Sequence, residues 1–290
     1  MIIGSLMEFL TSNFYAHTKL VLRFSGQQIG DSESTTIGHA ISLCKNLTEL
    51  QMSLCSNKIC DTGLDGLSQG LEECVKIESL AIDFSFNSIK DQGAGFITSR
   101  LNLHKHLKQL QISFSHNQLA DQSIKEVIKN LGQCVNLVDL SLSFNNNQIT
   151  DLGAKNFGTI ANYKNITVLS LYLTGNKITK KGAYELGSQL GLCTNLKQLT
   201  LDLTGNSIGN KGACGLANGL TNIKYLKSLM LYLMGNNIGD EGRNALGNIF
   251  RQFQDLIQLV LFLGFYKDKT MRSKLMKIRK LTILTLSIQV

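Results

Sequence analysis

One short motif recurs at nearly constant spacing along this chain of 290 residues. It consists of an asparagine, a second polar residue and an isoleucine or leucine, and successive copies are 30 residues apart, with one interval of 29. The asparagines are Asn57, Asn87, Asn117, Asn147, Asn176, Asn206 and Asn236. Gln27 begins a weaker earlier copy, and Tyr266 stands where a ninth asparagine would fall. A period of this length predicts stacked repeats rather than one irregular domain.

Two hydrophobic rhythms follow one another inside each period. Before the asparagine, apolar residues alternate with others, as in residues 50–54, which predicts a strand with one buried face. After it, Ala213, Leu216 and Leu220 are three and four residues apart, which predicts a helix with one apolar stripe. One strand and one helix cannot bury both apolar faces alone, so the copies must stack on a shared core.

Two further residues mark the start of the predicted helices. The first is an aspartate that we expect to act as an N-cap acceptor, at Asp61, Asp91, Asp121, Asp151 and Asp240. The second is a glycine two residues later, at Gly63, Gly93, Gly153, Gly182, Gly212 and Gly242. This glycine suits a tight passage from strand to helix or close packing of neighbouring coils.

The combined motif, Leu-x-x-Leu-x-Leu-x-x-Asn followed by Gly-x-x-x-Leu-x-x-x-Leu-x-x-Cys, resembles the leucine-rich repeat of the ribonuclease-inhibitor type. The resemblance covers residues 20–263. Every full copy contains an additional Leu-x pair, for example Leu201 and Leu203 before Asn206, and we expect each strand to be longer by two residues. This extended 30-residue form resembles the leucine-rich repeats of ciliated protists.

The resemblance implies an α/β solenoid, a horseshoe of about nine repeats with a parallel β-sheet on the concave face and α-helices on the convex face. We expect a single domain over residues 1–290, with an N-terminal cap at 1–19, regular repeats at 20–263 and a degenerate repeat at 264–290. The repeated asparagine is expected to bind main-chain groups where each coil leaves its strand, including groups of a neighbouring coil.

Composition and charge narrow the classes of partner. Seven cysteines, an odd number, do not form a secreted disulfide framework and favour a reducing cytosol. Most of the net charge of +8 comes from one segment, KDKTMRSKLMKIRK. Its cations form a candidate anion-binding face: Lys267, Lys269, Arg272, Lys274, Lys277, Arg279 and Lys280. The alternative, which we favour, is an amphipathic capping helix that buries Met271, Leu275 and Ile278 and leaves these cations solvated. Aromatic residues do not alternate with these cations, so nucleic acid is not favoured.

The chemical alternatives to a scaffold are weak. Cys44, Cys74, Cys134 and Cys193 recur at one place per coil, where we expect small buried residues rather than metal ligands. Cys55 and Cys60 lack partners for a zinc site, and the segment 104–106, His-Lys-His, is expected to be a solvated turn. Residues 205–212, GNSIGNKG, approach a phosphate-binding loop, but equivalent copies replace its key residues. We therefore expect no enzyme, cofactor or metal.

The outward strand positions form a candidate binding surface, which becomes aromatic and methionine-rich from Tyr172 onward. Exposed tyrosine and methionine beside a carboxylate are typical of protein-binding hot spots. The predicted contact residues on the concave face are Tyr172, Asp202, Met230, Tyr232, Met234 and Phe262. Contact with another part of a larger assembly is the open alternative.

The two ends of the chain give predictions about its location and its partners. The N-terminal decapeptide lacks the basic leader of a signal peptide, and no apolar run is long enough to span a membrane. The run at 281–288 is hydrophobic and strand-like, with almost no sequence after it to cover it, so we expect a hetero-complex or a longer chain. The leading hypothesis is a non-catalytic protein-interaction or structural scaffold in the cytoplasm. The ciliate resemblance suggests a cilium or the cytoskeleton. The alternative is a regulator of an enzyme, such as a small-GTPase activator or a ubiquitin-ligase recognition subunit.

Overall fold

A computed structural model describes residues 1–264 and 269–286. The chain forms two compact units, Met1–Asn147 and Gln148–Val290. In both units, parallel strands alternate with helices, which confirms the predicted α/β leucine-rich-repeat architecture. Tyr266, the predicted site of a ninth repeat asparagine, lies outside the described residues.

The first unit contains six strands and five α-helices among its described residues. The strands are β1 (Ile2–Ile3), β2 (Lys19–Arg23), β3 (Glu49–Ser53), β4 (Ser79–Asp83), β5 (Gln109–Ser113) and β6 (Asp139–Ser143). The helices are α1 (Leu6–Leu10), α2 (Asp31–Ser42), α3 (Asp61–Glu72), α4 (Asp91–Ser99) and α5 (Asp121–Leu131), with short 3-10 helices at Phe14–Ala16 and Leu101–Leu103. Each strand pairs in parallel with the next along the chain.

The second unit repeats the same plan. Its strands are β7 (Val168–Tyr172), β8 (Gln198–Asp202), β9 (Ser228–Tyr232), β10 (Gln258–Phe262) and β11 (Ile283–Leu286). Its helices are α6 (Asp151–Phe157), α7 (Lys180–Leu190), α8 (Gly209–Leu220), α9 (Asp240–Phe250) and α10 (Lys269–Leu275), with a 3-10 helix at Gly158–Asn162. Parallel pairing again follows chain order.

The repeat period fixes the register of the strands. Leu50 faces Leu80 and Leu199 faces Leu229, so equivalent residues of successive coils lie side by side. In β2–β10, the apolar residues at the second and fourth strand positions are buried, and the alternate side chains point outward. Backbone pairing continues beyond the strand ends, where Leu54 N donates to Asp83 O (2.8 Å) and Leu203 N to Tyr232 O (2.9 Å). The additional Leu-x pair thus lengthens the ladder.

The asparagine ladder predicted from the repeat is confirmed. Asn206 Nδ2 donates to Leu203 O of its own coil (2.9 Å) and to Leu173 O of the coil before (2.9 Å). Its Oδ1 accepts from Ile178 N (3.0 Å). In the first unit Asn87 makes the equivalent bonds. Each asparagine therefore satisfies backbone groups of two coils that the turn would otherwise leave unpaired.

The sequence predicted that the repeated aspartates act as N-caps, and this prediction is wrong. They are the first helical residues. The carboxylates of Asp61, Asp91 and Asp151 accept from the backbone of the following coil, as Asp61 Oδ1 does from Lys90 N (2.8 Å). Asp31, the first residue of α2, does the same with Cys60 N (2.7 Å). Asn210 lies within α8 and accepts from Gly239 N (2.8 Å) in the same way. A capping rule considers only local donors, whereas these donors are 29 residues away in sequence.

The glycine of each helix start belongs to the same contact. A Cβ on Gly63 would lie 2.5 Å from Asp31 Oδ1, and one on Gly93 would lie 2.5 Å from Asp61 Oδ1. These distances are shorter than any ordinary contact of a Cβ atom. Of the two reasons considered for the glycine, close packing of neighbouring coils is therefore the one that the structure supports.

The prediction of a solvated turn is wrong for His104, which is buried (2% exposed). It occupies the place of the repeat cysteines. Its Nε2 lies 3.0 Å from Leu71 O, and Cys74 Sγ donates to the equivalent carbonyl, Ile41 O, one coil earlier. Among the described residues, His104 Nδ1 has no hydrogen-bond partner, and burial lowers the pKa of the imidazole. The burial predicted for Cys44, Cys74, Cys134 and Cys193 is confirmed.

Candidate protein-binding surface

The predicted contact residues lie on one surface of the second unit. We define the second strand face as every second residue of β7–β10, from the first to the last, with the residue two positions after each strand. The leucines between these positions are buried, so the remaining side chains point away from the core. All six predicted residues belong to this face, and all are half-buried.

Four of the six form one row across the strands. Tyr172 faces Asp202, Asp202 faces Tyr232, and Tyr232 faces Phe262 in the parallel register. Neighbouring strands are about 4.8 Å apart, so these side chains are direct neighbours. The Tyr232 and Phe262 rings are stacked, with centroids 5.0 Å apart and planes 11° from parallel. The stack fixes the orientation of both rings.

The two methionines flank this row. Met230 lies between Thr200 and Val260 in the register, two residues before Tyr232. Met234 lies two residues beyond the end of β9, where its carbonyl accepts from Gly205 N (2.7 Å). Both are half-buried beside Tyr232. A thioether adapts its shape to a partner more readily than a branched aliphatic side chain does.

Asp202 is the one charged side chain of the second strand face. Its Oδ1 accepts from Thr204 N (2.9 Å). Among the described residues, no lysine, arginine or histidine lies within ion-pair distance of this carboxylate. Asp202 thus presents an uncompensated negative charge between aromatic neighbours.

The equivalent surface of the first unit has a different chemistry. We define the first strand face by the same positions of β2–β6; it carries no aromatic side chain. Its row runs Arg23, Ser53, Asp83, Ser113 and Ser143. The hydroxyls bind one another in a continuous chain: Asp83 to Ser85, Ser85 to Ser113 (2.8 Å), Ser113 to Ser115 (3.1 Å) and Ser115 to Ser143 (2.7 Å). These polar groups therefore already have partners within the face.

One exposed aromatic group of the first unit was not predicted. Phe86 is 53% exposed, and its ring stacks on that of His116 at 4.0 Å. Both residues stand just before a repeat asparagine and have positive φ (56° and 54°), where the second unit has Gly175, Gly205 and Gly235. A left-handed backbone is unfavourable for bulky residues, so a phenylalanine is unexpected at this position of the repeat.

Some cations of the C-terminal basic segment have polar partners among the described residues. Lys280 pairs with Asp255, which also binds Lys227 (3.4 Å), and Lys274 Nζ donates to Asn244 Oδ1 (3.3 Å). Lys277 and Arg279 are exposed. Lys267 lies outside the described residues, as do the side chains of Lys269 and Arg272.

The apolar residues of this segment are buried as predicted. Met271 (2% exposed), Leu275 (0%) and Ile278 (3%) face the core. The spacing predicted a helix that includes Ile278. In the structure α10 ends at Leu275, and Ile278 follows in a turn. The burial favours a capping role, and the anion-binding function stays a prediction.

Potential metal ligands and free thiols are spread over the described residues. No three His, Cys, Asp or Glu side chains converge there as metal ligands. Burial raises the pKa of Cys74 to about 12 and that of Cys44 to about 11, so these thiols stay protonated at neutral pH. No helix within the described ranges has the length and apolar character needed to cross a membrane.

Comparison with known families agrees with this geometry. The leucine-rich repeat family model matches four segments, residues 133–158, 164–187, 193–217 and 225–247. Three of these include a strand, an asparagine turn and a helix start of the second unit. No curated protein matches the chain. The chain therefore contains leucine-rich repeats, and the repeated strand, asparagine turn and helix support its interpretation as a leucine-rich repeat protein.

Proposed function

We propose that this chain is a non-catalytic scaffold that binds a protein partner through its second strand face. Leucine-rich repeats suggest a protein-interaction scaffold, and the row Tyr172, Asp202, Tyr232 and Phe262 is the observation that supports a specific surface. A partner that covers half-buried aromatic rings beside a carboxylate without a cationic partner makes the free energy of binding more favourable. The first strand face gains less, because its hydroxyls already bind one another.

The partner is proposed to be another protein of a stable hetero-complex. A ciliary or cytoskeletal assembly follows only from the ciliate resemblance and stays a prediction. So does the alternative, a regulator of an enzyme. A small-GTPase activator would raise the rate of GTP hydrolysis by a purified GTPase, whereas a scaffold would leave that rate unchanged.

Site-specific photo-cross-linking tests the proposed surface. A benzoylphenylalanine replaces Met230 in one variant and Gln111, the equivalent position of β5, in a matched control. In a native extract, we expect a discrete adduct at position 230 that disappears when Tyr172 and Tyr232 are both changed to serine. An adduct at 111 alone, or one at 230 that persists in the double variant, would contradict the proposal.

A further inference from the structure

We propose that Tyr172, Asp202 and Tyr232 form a notch that binds an arginine side chain of the partner; this inference rests on the proposed function of the second strand face. The three residues occupy the same row on consecutive strands. A short carboxylate stands between two long aromatic side chains. The row therefore has a floor, Asp202, and two walls, Tyr172 and Tyr232.

The width of the notch suits one planar group. The strands that carry the two tyrosines are separated by β8, so their axes are about 9.6 Å apart, twice the usual strand spacing. A planar group that contacts a ring on each side needs about 7 Å, since carbon atoms in contact are separated by about 3.5 Å. A guanidinium fits with a small movement of the rings.

One wall is already held in place. Phe262 stacks on the side of the Tyr232 ring that faces β10. The opposite side of this ring faces β8 and Asp202. Among the described residues, neither tyrosine hydroxyl has a hydrogen-bond partner, so stacking on Phe262 is what orients the Tyr232 ring. A prearranged ring loses little side-chain entropy when a ligand stacks on it.

The charge of the notch selects a cation. Asp202 Oδ1 is held by Thr204 N, and no described basic side chain neutralises the carboxylate. The faces of tyrosine rings also attract cations. Arginine matches this combination better than lysine, because its planar guanidinium can stack on the rings while its N–H groups donate to the carboxylate.

Asp83 of the first unit provides a natural control. It occupies the same position of its strand, and its Oδ1 accepts from Ser85 N at 2.9 Å, as Asp202 Oδ1 does from Thr204 N. Its neighbours in the row are Ser53 and Ser113 instead of tyrosines. Ser85 Oγ also donates to the carboxylate. The two aspartates therefore differ in their walls and in their hydroxyl partners, not in their backbone setting.

The test uses the full chain labelled with ¹³C at the methionine methyl groups, with N-acetyl-arginine methylamide as the probe. Met230 and Met234 report on the notch, and Met52, buried in the first unit, reports unrelated changes. We expect saturable shifts of the Met230 and Met234 methyl signals, with a Kd on the order of 1–10 mM for so small a ligand. The uncharged citrulline analogue should bind at least tenfold more weakly.

Variants decide between the notch and a general affinity for cations. Asp202→Asn should weaken arginine binding at least tenfold, and Tyr172→Ser or Tyr232→Ser at least threefold, whereas Asp83→Asn should leave it unchanged. Equal binding of citrulline, no effect of Asp202→Asn or the absence of saturable shifts would overturn the proposal. If the photo-adduct at position 230 still forms in that case, the proposed function stands without the arginine notch.

Discussion

In the first unit Phe84, Phe114 and Phe144 lie stacked inside the coil, with centroids 5.6 Å apart, and the strand face outside carries a chain of serine hydroxyls. In the second unit leucines take the interior positions, at Leu173, Leu203 and Leu233, and the aromatic residues lie outside on the strand face. The asparagine and aspartate contacts between coils are the same in both units.

This difference separates what the repeat requires from what it leaves free. Each coil needs an asparagine that satisfies the backbone of two coils, and most coils add the forward acceptor with its glycine. The outward strand positions satisfy no such requirement, so their side chains can be chosen for binding. The serine hydroxyls of the first strand face hydrogen-bond to one another, whereas the second strand face leaves aromatic surface and one carboxylate available to a partner.

The largest expected effect comes from breaking what the two units share. Asn206→Ala would leave Ile178 N without its acceptor, and Asn87→Ala would do the same to Ile59 N. The carbonyls that these asparagines bind, Leu173 O and Leu54 O, would each keep a second donor, Asn176 and Asn57 respectively. Each variant should lower the free energy of unfolding by about 1–3 kcal/mol, because a buried backbone N–H loses its hydrogen bond. Urea denaturation followed by circular dichroism measures the change.

Asn218→Ala is the control for these variants, because Asn218 is exposed on α8 and takes no part in the ladder. It should be neutral or slightly stabilising, since alanine favours the helix. A strong effect of Asn206→Ala with no effect of Asn87→Ala would show that the two units do not share this framework.

A similar loss is expected from the glycines that face the forward acceptors. Gly63→Ala in the first unit and Gly182→Ala in the second would drive a Cβ into Asp31 Oδ1 and Asp151 Oδ1 respectively. We expect each to cost about 1–3 kcal/mol, as overpacking does elsewhere. Gly95→Ala is the matched control, because its Cβ would meet only Glu126 Cβ at 3.9 Å. Equal stability of all three variants would rule out the aspartate–glycine contact.

Mild acid should destabilise the chain through His104, which is buried in the first unit. Burial holds the pKa of His104 below its ordinary value of 6.5. As the pH falls below 6.5, His104 becomes protonated in the unfolded chain but stays neutral in the folded chain. The free energy of unfolding therefore decreases until the pH reaches the pKa of His104 in the folded chain. His104→Cys, which installs the residue of the other coils, should reduce the difference between urea midpoints at pH 7 and pH 5.5.

His17 remains as a background in that experiment, because burial lowers the pKa of this residue also. The comparison of the wild-type chain with His104→Cys removes its contribution. An unchanged pH dependence in the variant would mean that His104 is not the group responsible.

The smallest expected effect concerns the walls beside Asp83. Ser53→Tyr together with Ser113→Tyr gives Asp83 the two aromatic neighbours that Asp202 has. The change removes hydroxyl contacts made by Ser53 and Ser113, at about 1 kcal/mol of stability each. We expect weak arginine binding at the first strand face, measured by the shift of a ¹³C-methionine label placed at Ala81. No binding would show that walls alone do not make the notch.

Much of the fold was predictable because it repeats. Strand, turn and helix recur with a fixed phase, so the outward positions followed from spacing. The asparagine ladder followed from the resemblance to leucine-rich repeats and from the need to pair backbone groups at the turn. The burial of His104 could also have been predicted, since it is 30 residues from both Cys74 and Cys134. The neighbouring lysine and histidine suggested a solvated turn instead, and the local composition misled where the repeat phase did not.

Other features were not accessible from the sequence. The role of Asp31 depends on an amide in the next coil, and rules for helix caps consider only donors of the same helix. The positive φ of Phe86 has no local signal, because bulky residues rarely adopt it, and only the glycines at the same phase of the second unit indicate it. The hydroxyl chain through Ser85, Ser113 and Ser115 depends on rotamers, which a pattern of serines does not determine.

The central claim is that the second strand face, and not the first, binds the partner. The most direct measurement is the affinity of the cross-linked partner, once purified, for two double variants of the full chain. Tyr172→Ser with Tyr232→Ser should weaken binding at least tenfold, whereas Arg23→Ser with Gln51→Ser, on exposed positions of the first strand face, should leave it unchanged. Unchanged affinity of the tyrosine variant, or a loss confined to the first strand face, would contradict the account.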